Sequence, residues 1–436
     1  LNAREGGPGQ ALIVTGRLGA GDVDAAILFD DGLFNPVSEP ISVDLALTSQ
    51  DSVALSRQLG LGDVALMPDG SPVSFQLLTE GTPLNSLETT VSLSGGGDEI
   101  AYAGNVIPSD LSALRGRGQL TFDLSDSTVV ASALGAEGIG FGPVSGKAEF
   151  SFNGLSTMSL QAIDVNADGA FLSGELGRTQ QGENVQFSGA LRSSTIDVSH
   201  FAALLGGPSA LLNDGLLWPD GPFAYTDQSR RTSGRIAIET PFVTHAGRDL
   251  ATDAKFDFTW DATNVRLRGL EAAIGGGTMG LELEICCTGV DSAKQIEGRA
   301  TFAGVDIDAL LPEAPAAVID GTLGGGLTFS GTGDSFASVL SGLAGDGSFT
   351  LEGIEISEFG PGAFAVLADM ENVIELEPEV LTGIVEDALG QGRFTAPEAG
   401  GVFTIAAGRA RLSNMAIEGP EANIFGGAAL SLGDLG

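Results

Sequence analysis

Hydrophobic residues recur at every second position along most of the chain. Val73, Phe75 and Leu77 alternate with polar neighbours, as do Leu120, Phe122 and Leu124. Ala148, Phe150 and Phe152 repeat the pattern, followed by Phe256, Phe258 and Trp260, then Leu281, Leu283 and Ile285. Leu327 with Phe329, and Phe349 with Leu351, continue it. Alternation of this length predicts strands with one apolar and one wet face. Between the segments lie clusters such as Gly95-Gly96-Gly97-Asp98 and Asp168-Gly169, whose residues suit hairpin turns. The expected fold class is mostly β: a long curved antiparallel sheet of stacked repeats, with short helices and one two-helix insert.

The helical patches give the repeat. Val53 to Gly60, Val129 to Gly135 and Val198 to Gly206 each end in Leu-Gly, and Val305 to Pro312 echoes Ile196 to Leu205. Several alternating segments follow each patch, so a unit of one short helix plus several strands is expected. Such units stack and bury their apolar face only collectively. The divisions that follow are 1–125, 126–196, 197–303 and 304–436. Within the last, residues 361–390 change period. Phe364, Leu367, Met370, Val373 and Ile374, then Val380, Leu381, Ile384, Val385 and Leu389, fall at three-four spacing. Two amphipathic helices broken near Pro378 are expected there. Their polar face is acidic (Asp369, Glu371, Glu375, Glu377, Glu379, Glu386). That composition suits a helix pair over the end of a sheet better than a membrane-surface helix, which would carry Lys and Arg.

Charge narrows the partners. The 57 Asp and Glu against 20 Lys and Arg leave a net charge of −37, which repels phosphate backbones and excludes nucleic acid. The same charge discourages adsorption to an anionic membrane. Gly supplies 65 of 436 residues, about twice the usual ~7% share. Disorder is a poor reading, because 43% of the chain is still apolar. Cys286 and Cys287 are adjacent, so there is no disulfide framework; two strand neighbours or a strained vicinal disulfide are the readings. No run approaches the ~18 apolar residues of a membrane span. The chain opens at Leu1 without a signal-peptide pattern and stops at Gly436 after an alternating segment, so both ends read as cuts in a longer protein.

Catalytic chemistry is thin. His200 and His245 are the two histidines, and neither has a second histidine at metal-ligand spacing. Nucleophile-elbow and P-loop patterns are missing. No enzyme activity, cofactor or metal is therefore expected. Asp164, Asn166, Asp168 with Gly169, and Glu175 do match a calcium-loop pattern in full. Their flanks are period-two rather than helical, so a hairpin turning at Asn166-Ala167-Asp168-Gly169 is the reading preferred. What remains is a shape argument. One apolar sheet face must be buried by closing on itself, by a second layer, or by a ligand. Dense glycine permits strong curvature, and an apolar trough suits acyl chains. A filled core and an open trough stay equally compatible with composition.

Several short blocks carry a family resemblance, through their order over the C-terminal three hundred residues. They include Gly142-Pro143-Val144-Ser145-Gly146 through Phe150, and Phe171-Leu172-Ser173-Gly174-Glu175-Leu176. Trp218-Pro219-Asp220-Gly221-Pro222-Phe223 is another, as is Val265-Arg266-Leu267-Arg268-Gly269-Leu270 leading to Gly275-Gly276-Gly277-Thr278-Met279-Gly280. The best runs from Gly298-Arg299-Ala300 through Val305 to Leu311, Gly321-Thr322-Leu323 and Gly331-Thr332-Gly333, to Leu343 through Leu351. From about Leu120 onward the chain resembles the AsmA-like family of Gram-negative envelope proteins, with weaker matches over 1–119.

The resemblance implies a repeating β-groove in the periplasm, anchored to the inner membrane by a segment outside this chain. Its implied role is phospholipid transport between inner and outer membranes, with contacts to those membranes or their proteins through parts outside this chain. The lipid-groove residues expected are Phe75, Leu77, Leu120, Phe122 and Leu124, then Phe150, Phe152, Phe256, Phe258 and Trp260, and finally Leu281, Leu283, Phe329 and Phe349. The alternative is an envelope assembly scaffold that presents sheet edges to outer-membrane proteins without conducting lipid. A calcium-dependent surface-layer or adhesin-like repeat protein is a third reading.

Overall fold

The computed structural model describes residues 2–5, 9–18, 21–30, 38–58, 72–108, 113–127, 142–154, 156–212, 218–224, 230–245, 247–287, 292–310, 319–370, 377–390 and 392–433. The described strands form one antiparallel sheet of 23 strands, the fold class that the alternation predicts. Twelve come first: β1 (Asn2–Glu5), β2 (Gln10–Leu18), β3 (Gly21–Phe29), β4 (Ile41–Ser49), β5 (Val73–Thr82), β6 (Ser86–Gly95), β7 (Asp98–Ile107), β8 (Arg115–Leu124), β9 (Val144–Asn153), β10 (Thr157–Ala167), β11 (Ala170–Gln181) and β12 (Asn184–Ser193). Each pairs antiparallel with the next. Then come β13 (Ile196–Asp197), β14 (Thr232–His245) and β15 (Arg248–Trp260). The last eight are β16 (Val265–Ile274), β17 (Gly277–Cys286), β18 (Lys294–Asp306), β19 (Ile319–Gly333), β20 (Ala344–Ser357), β21 (Arg393–Ala406), β22 (Arg409–Glu418) and β23 (Asn423–Ser431), again each paired with the next. Two compact units divide the chain. One holds Leu1–Ile196, Arg230–Ile238 and Trp260–Ala262; the other holds Asp197–Ser229, Glu239–Thr259 and Thr263–Gly436.

The helices are α1 (Ser52–Gln58), α2 (Val198–Gly206), α3 (Ile307–Leu310), α4 (Phe336–Ser341), α5 (Gly362–Ala368) and α6 (Pro378–Gly390). The expected patch at Val198 is thus a helix in full. That at Val53 is helical to Gln58, with Leu59 and Gly60 outside the described residues, where the whole Val129–Gly135 patch also lies. The Val305 patch does echo the Ile196 patch: Val305 and Asp306 end β18 as Ile196 and Asp197 form β13, and helix starts at Ile307 as it does at Val198, running to Leu310, with Leu311 and Pro312 outside the described residues. The insert holds two helices as expected, and the break between them ends at Pro378, which starts α6 because its missing N–H is harmless in a first turn. Val373 and Ile374 lie outside the described residues.

Bulges keep the apolar face in phase. In β10 the pairing shifts between Leu160 and Ile163, with Ala162 at a φ of 48°. Without that extra residue Asp164 would point to the apolar side. Instead Ile163 and Val165 do, and Asp164 reaches Lys147 at 3.6 Å. Shifts between Leu267 and Leu270 and between Phe302 and Val305 do the same. An added residue in one strand is how an antiparallel ladder absorbs such a slip.

Large residues face small ones across the ladder. Phe329 is directly opposite Gly298 on one side and Gly345 on the other. Phe349 lies between Gly325 and Gly401, and Phe403 opposes Gly347. A Cβ added at Gly347 would sit 2.5 Å from the Phe403 ring, and one at Gly298 would overlap Phe329. Phe152 covers Gly116 in the same way. The core is correspondingly divided into small clusters. Leu47, Leu55 of α1, Val73 and Leu93 make one, and Ile354, Phe394, Ala396, Ala399 and Ile417 make another.

Gly298→Ala is expected to lower the opening free energy of β18 and β19 amides by about 1–3 kcal/mol, because the Phe329 ring must move. Native-state hydrogen exchange checks this. Gly16→Ala, where a Cβ meets nothing within 4 Å, is expected to leave exchange nearly unchanged.

Candidate functional site

In the first unit the strand register assembles the expected residues into continuous rows. Leu45, Leu77, Val91, Tyr102, Leu120 and Ala148 pair in succession from β4 to β9. Phe75, Leu93, Ile100 and Phe122 form the next row. Leu124 is buried beside Val144. Phe150 and Phe152 meet Tyr102 edge-on, with ring centroids 6.2 and 6.3 Å away. Burial raises the Tyr102 pKa, and its hydroxyl donates to the Asn105 carbonyl at 3.3 Å. Trp260 packs on Phe187 at 6.0 Å and donates from Nε1 to Thr232 Oγ1 at 3.2 Å.

The second unit holds a cleft of about 630 Å³, and all its lining residues are apolar. Ile296, Leu327, Phe329, Phe349, Phe403 and Leu412 make its floor on β18 to β22. Phe336, Val339 and Leu340 of α4 make one wall, and Ala428 and Leu430 of β23 another. Trp218 also lines it. Its position is fixed over a long range: Trp218 Nε1 donates to the Leu432 carbonyl at 2.9 Å. The segment from Trp218 to Ala224 is also strapped to its neighbours. Ala337 N–H donates to the Pro219 carbonyl at 3.0 Å, and Phe223 N–H to the Asp334 carbonyl at 2.8 Å. Phe223 then meets Phe336 edge-on at 4.9 Å. Helix α4 is so short that its start needs help, and a capping box between Ser335 and Ser338 supplies it.

Of the expected residues, Phe329 and Phe349 therefore line the cleft, and Leu283 packs against the same buried cluster as Phe329. Leu281 sits between Leu270 and Ala300 in the same face. Phe256 and Phe258 are elsewhere, edge-on to Phe201 of α2 at 5.9 and 5.4 Å. Reading the sequence missed Phe403, Leu412, Trp218 and α4 as lining residues. Phe403 and Ile405 carry the same period-two signal as the rest.

The two histidines gather around the start of α2. Asp197 caps that helix, its Oδ1 accepting from Ser199 N–H at 2.7 Å. Thr244 donates to Asp197 Oδ2 at 3.4 Å, and Ser199 Oγ lies 3.2 Å from His245 Nδ1. Burial pushes the Asp197 carboxyl up. The Ser199 hydrogen bonds, with His200 and His245 nearby, outweigh it and hold the group below the ordinary carboxylate value. The arrangement positions α2, and so Phe201.

The calcium-pattern residues lie on a hairpin. Its turn centre is Asp168-Gly169, closed by Ala167 paired with Ala170, one residue later than expected. Asp168 and Gly169 take φ values of 49° and 84°, which a primed turn requires. Asn166 Oδ1 accepts the Gly169 N–H at 3.0 Å, Asp164 pairs with Lys147, and Glu175 is exposed on β11. Cys286 ends β17 and Cys287 has a φ of 66°; neither is in a disulfide. Among the described residues no helix is long and apolar enough to cross a membrane. No protein-family model, curated protein or solved structure matches the chain.

Asp197→Ala is expected to weaken α2 by about 1 kcal/mol at neutral pH through loss of the cap, read as faster exchange of the Ser199 amide. Because the folded pKa is lowered, the carboxylate's contribution is complete above its ordinary value. It fades as pH falls through the lower folded value, so mutant and wild type should converge in acid.

Proposed function

We propose that the chain binds phospholipid acyl chains on its apolar sheet face and supports their movement between inner and outer membranes. The observation that carries this reading is the cleft of about 630 Å³ with an entirely apolar lining. A site with no polar group offers nothing to orient a reacting or hydrogen-bonding ligand, but it does replace the water around hydrocarbon. Each buried methylene contributes ~0.8 kcal/mol. About ten methylenes give roughly 8 kcal/mol, before the loss of chain freedom. The head group stays in water beyond the apolar rim. The resemblance to AsmA-like proteins supports the same reading, and with it a periplasmic location and an inner-membrane anchor outside this chain.

Native mass spectrometry of the chain purified from a lipid-containing lysate tests it. Wild type is expected to carry phospholipid. Phe329→Glu combined with Phe403→Glu should remove it while the strand signal in circular dichroism persists. A folded but lipid-free wild type would overturn the proposal, as would a folded double mutant that keeps its lipid.

A further inference from the structure

Cys286 and Cys287 play no part in the cleft lining, yet their backbone is not that of two ordinary strand neighbours. Successive residues of a strand point to opposite faces, which would hold adjacent thiols apart. Cys286 follows the rule: it ends β17 and pairs with Gln295 of β18. Cys287 does not, because its φ of 66° lies in the left-handed region. An extended residue has a φ of roughly −120°, so the difference is about half a turn around the N–Cα bond. That turn carries the Cys287 Cβ to the side of the shared peptide where the Cys286 side chain stands. Both residues are half-buried and neither is in a disulfide.

Lys294 holds this backbone in place. It is the largest of the fully buried side chains, 1% exposed, at the start of β18. Its Nζ donates to the Cys287 carbonyl at 3.3 Å. A left-handed conformation is disfavoured for any residue with a Cβ, and an ammonium taken out of water needs acceptors. The turn at Cys287 presents one such acceptor, and the buried lysine keeps the turn. The hairpin also adjoins the cleft. Ile285 and Ile296 belong to the buried cluster with Phe223 and Val339, and Ile296 lines the cleft itself.

We propose that Cys286 and Cys287 form a thiol–disulfide site that closes reversibly on itself, with Lys294 as the positioning residue that favours closure. The oxidant is a small external disulfide. One cysteine gives up its proton and attacks it, forming a mixed disulfide and releasing one external sulfur as a thiolate. The second cysteine gives up its proton and attacks the sulfur of the first, breaking the mixed bond and expelling the other external sulfur. Both cysteine sulfurs are oxidised, the external disulfide is reduced to two thiols, and the two protons go to them. The closed pair is strained, because Cα atoms about 3.8 Å apart across a peptide fall short of the roughly 4.4–6.8 Å of ordinary disulfides. Strained disulfides are readily reduced, so the site acts as a switch and not as a permanent cross-link.

Closure requires no lipid, and it is tested on the whole chain in glutathione buffers of stepped oxidised-to-reduced ratio. Samples are quenched in acid, alkylated, and weighed intact and as peptides. Wild type is expected to pass from two alkylated cysteines to none, without added glutathione or dimer, and to return when the ratio is reversed. Lys294→Met keeps the buried stem and loses the donor, so the reduced pair relaxes towards the extended arrangement. Loss of a hydrogen bond to a charged group should reduce the equilibrium constant for closure about tenfold, or about 30 mV for a two-electron couple. Circular dichroism should show that variant still folded. Thiols that stay alkylated at every ratio would overturn the proposal, as would oxidation that stops at glutathione adducts or yields cross-linked dimers. The wild-type titration decides this whether or not Lys294→Met folds. A folded Lys294→Met with an unaltered equilibrium constant would overturn the positioning role.

Discussion

Neighbouring strands lie about 4.8 Å apart, so a phenyl ring that lies down across the sheet needs a facing position without a bulky side chain. The apolar face of this protein meets that need by setting phenylalanine against glycine. Phe329, Phe349, Phe403 and Phe152 each lie over the glycine of an adjoining strand. Much follows from this one packing choice. Rings that lie down cover the sheet with hydrocarbon without filling the space above it. A second layer, formed by α4 and the Trp218 segment in the second unit, can then stand off and leave the cleft between. The high glycine content of the chain acquires a specific meaning: part of it is the counterpart of the aromatic residues.

Much of the sheet was legible because one physical signal, period-two alternation, encodes both the strand and its face. Leu281, Leu283 and Ile285 read as a strand and are one, β17. The same signal is silent where phase slips. The odd spacing from Leu160 to Ile163 resembles the end of a strand, yet the strand runs on through a bulge. Alternation also says which side a residue faces, not what stands above it. Phe329 and Phe349 could be named as lining residues, but Trp218 could not. Its place depends on a hydrogen bond to Leu432 across 214 residues of sequence. The helical insert shows a third limit, since the spacing around Pro378 marks a discontinuity without saying whether proline breaks a helix or begins one.

Charge and apolarity are sorted with little overlap. Acidic and basic side chains pair across the wet face, as Arg117 does with Glu149 at 3.0 Å and Arg393 with Glu355 at 2.9 Å. These pairs are exposed and individually weak, and they hold charge on the wet face; Asp98 and Lys294 are exceptions, buried at the starts of β7 and β18 and bonded to Ser125 N–H and to the Cys287 carbonyl. Asp164 reaches Lys147 for the same reason. A ligand on the apolar side therefore meets hydrocarbon whose contacts are interchangeable. Selectivity under the proposed function would come from the width and depth of the cleft.

The clustered core has a further consequence, for cooperativity. Leu55 of α1 and Phe394 beside Ile354 belong to separate buried groups, each anchored by neighbouring strands. A chain organised in this way resembles a row of coupled segments more than a single drop of oil. Melting can begin in one segment while another stays closed, so stability becomes a profile along the sequence, with no single unfolding free energy. A stretch of sheet could then loosen and re-form in place without dismantling its distant neighbours.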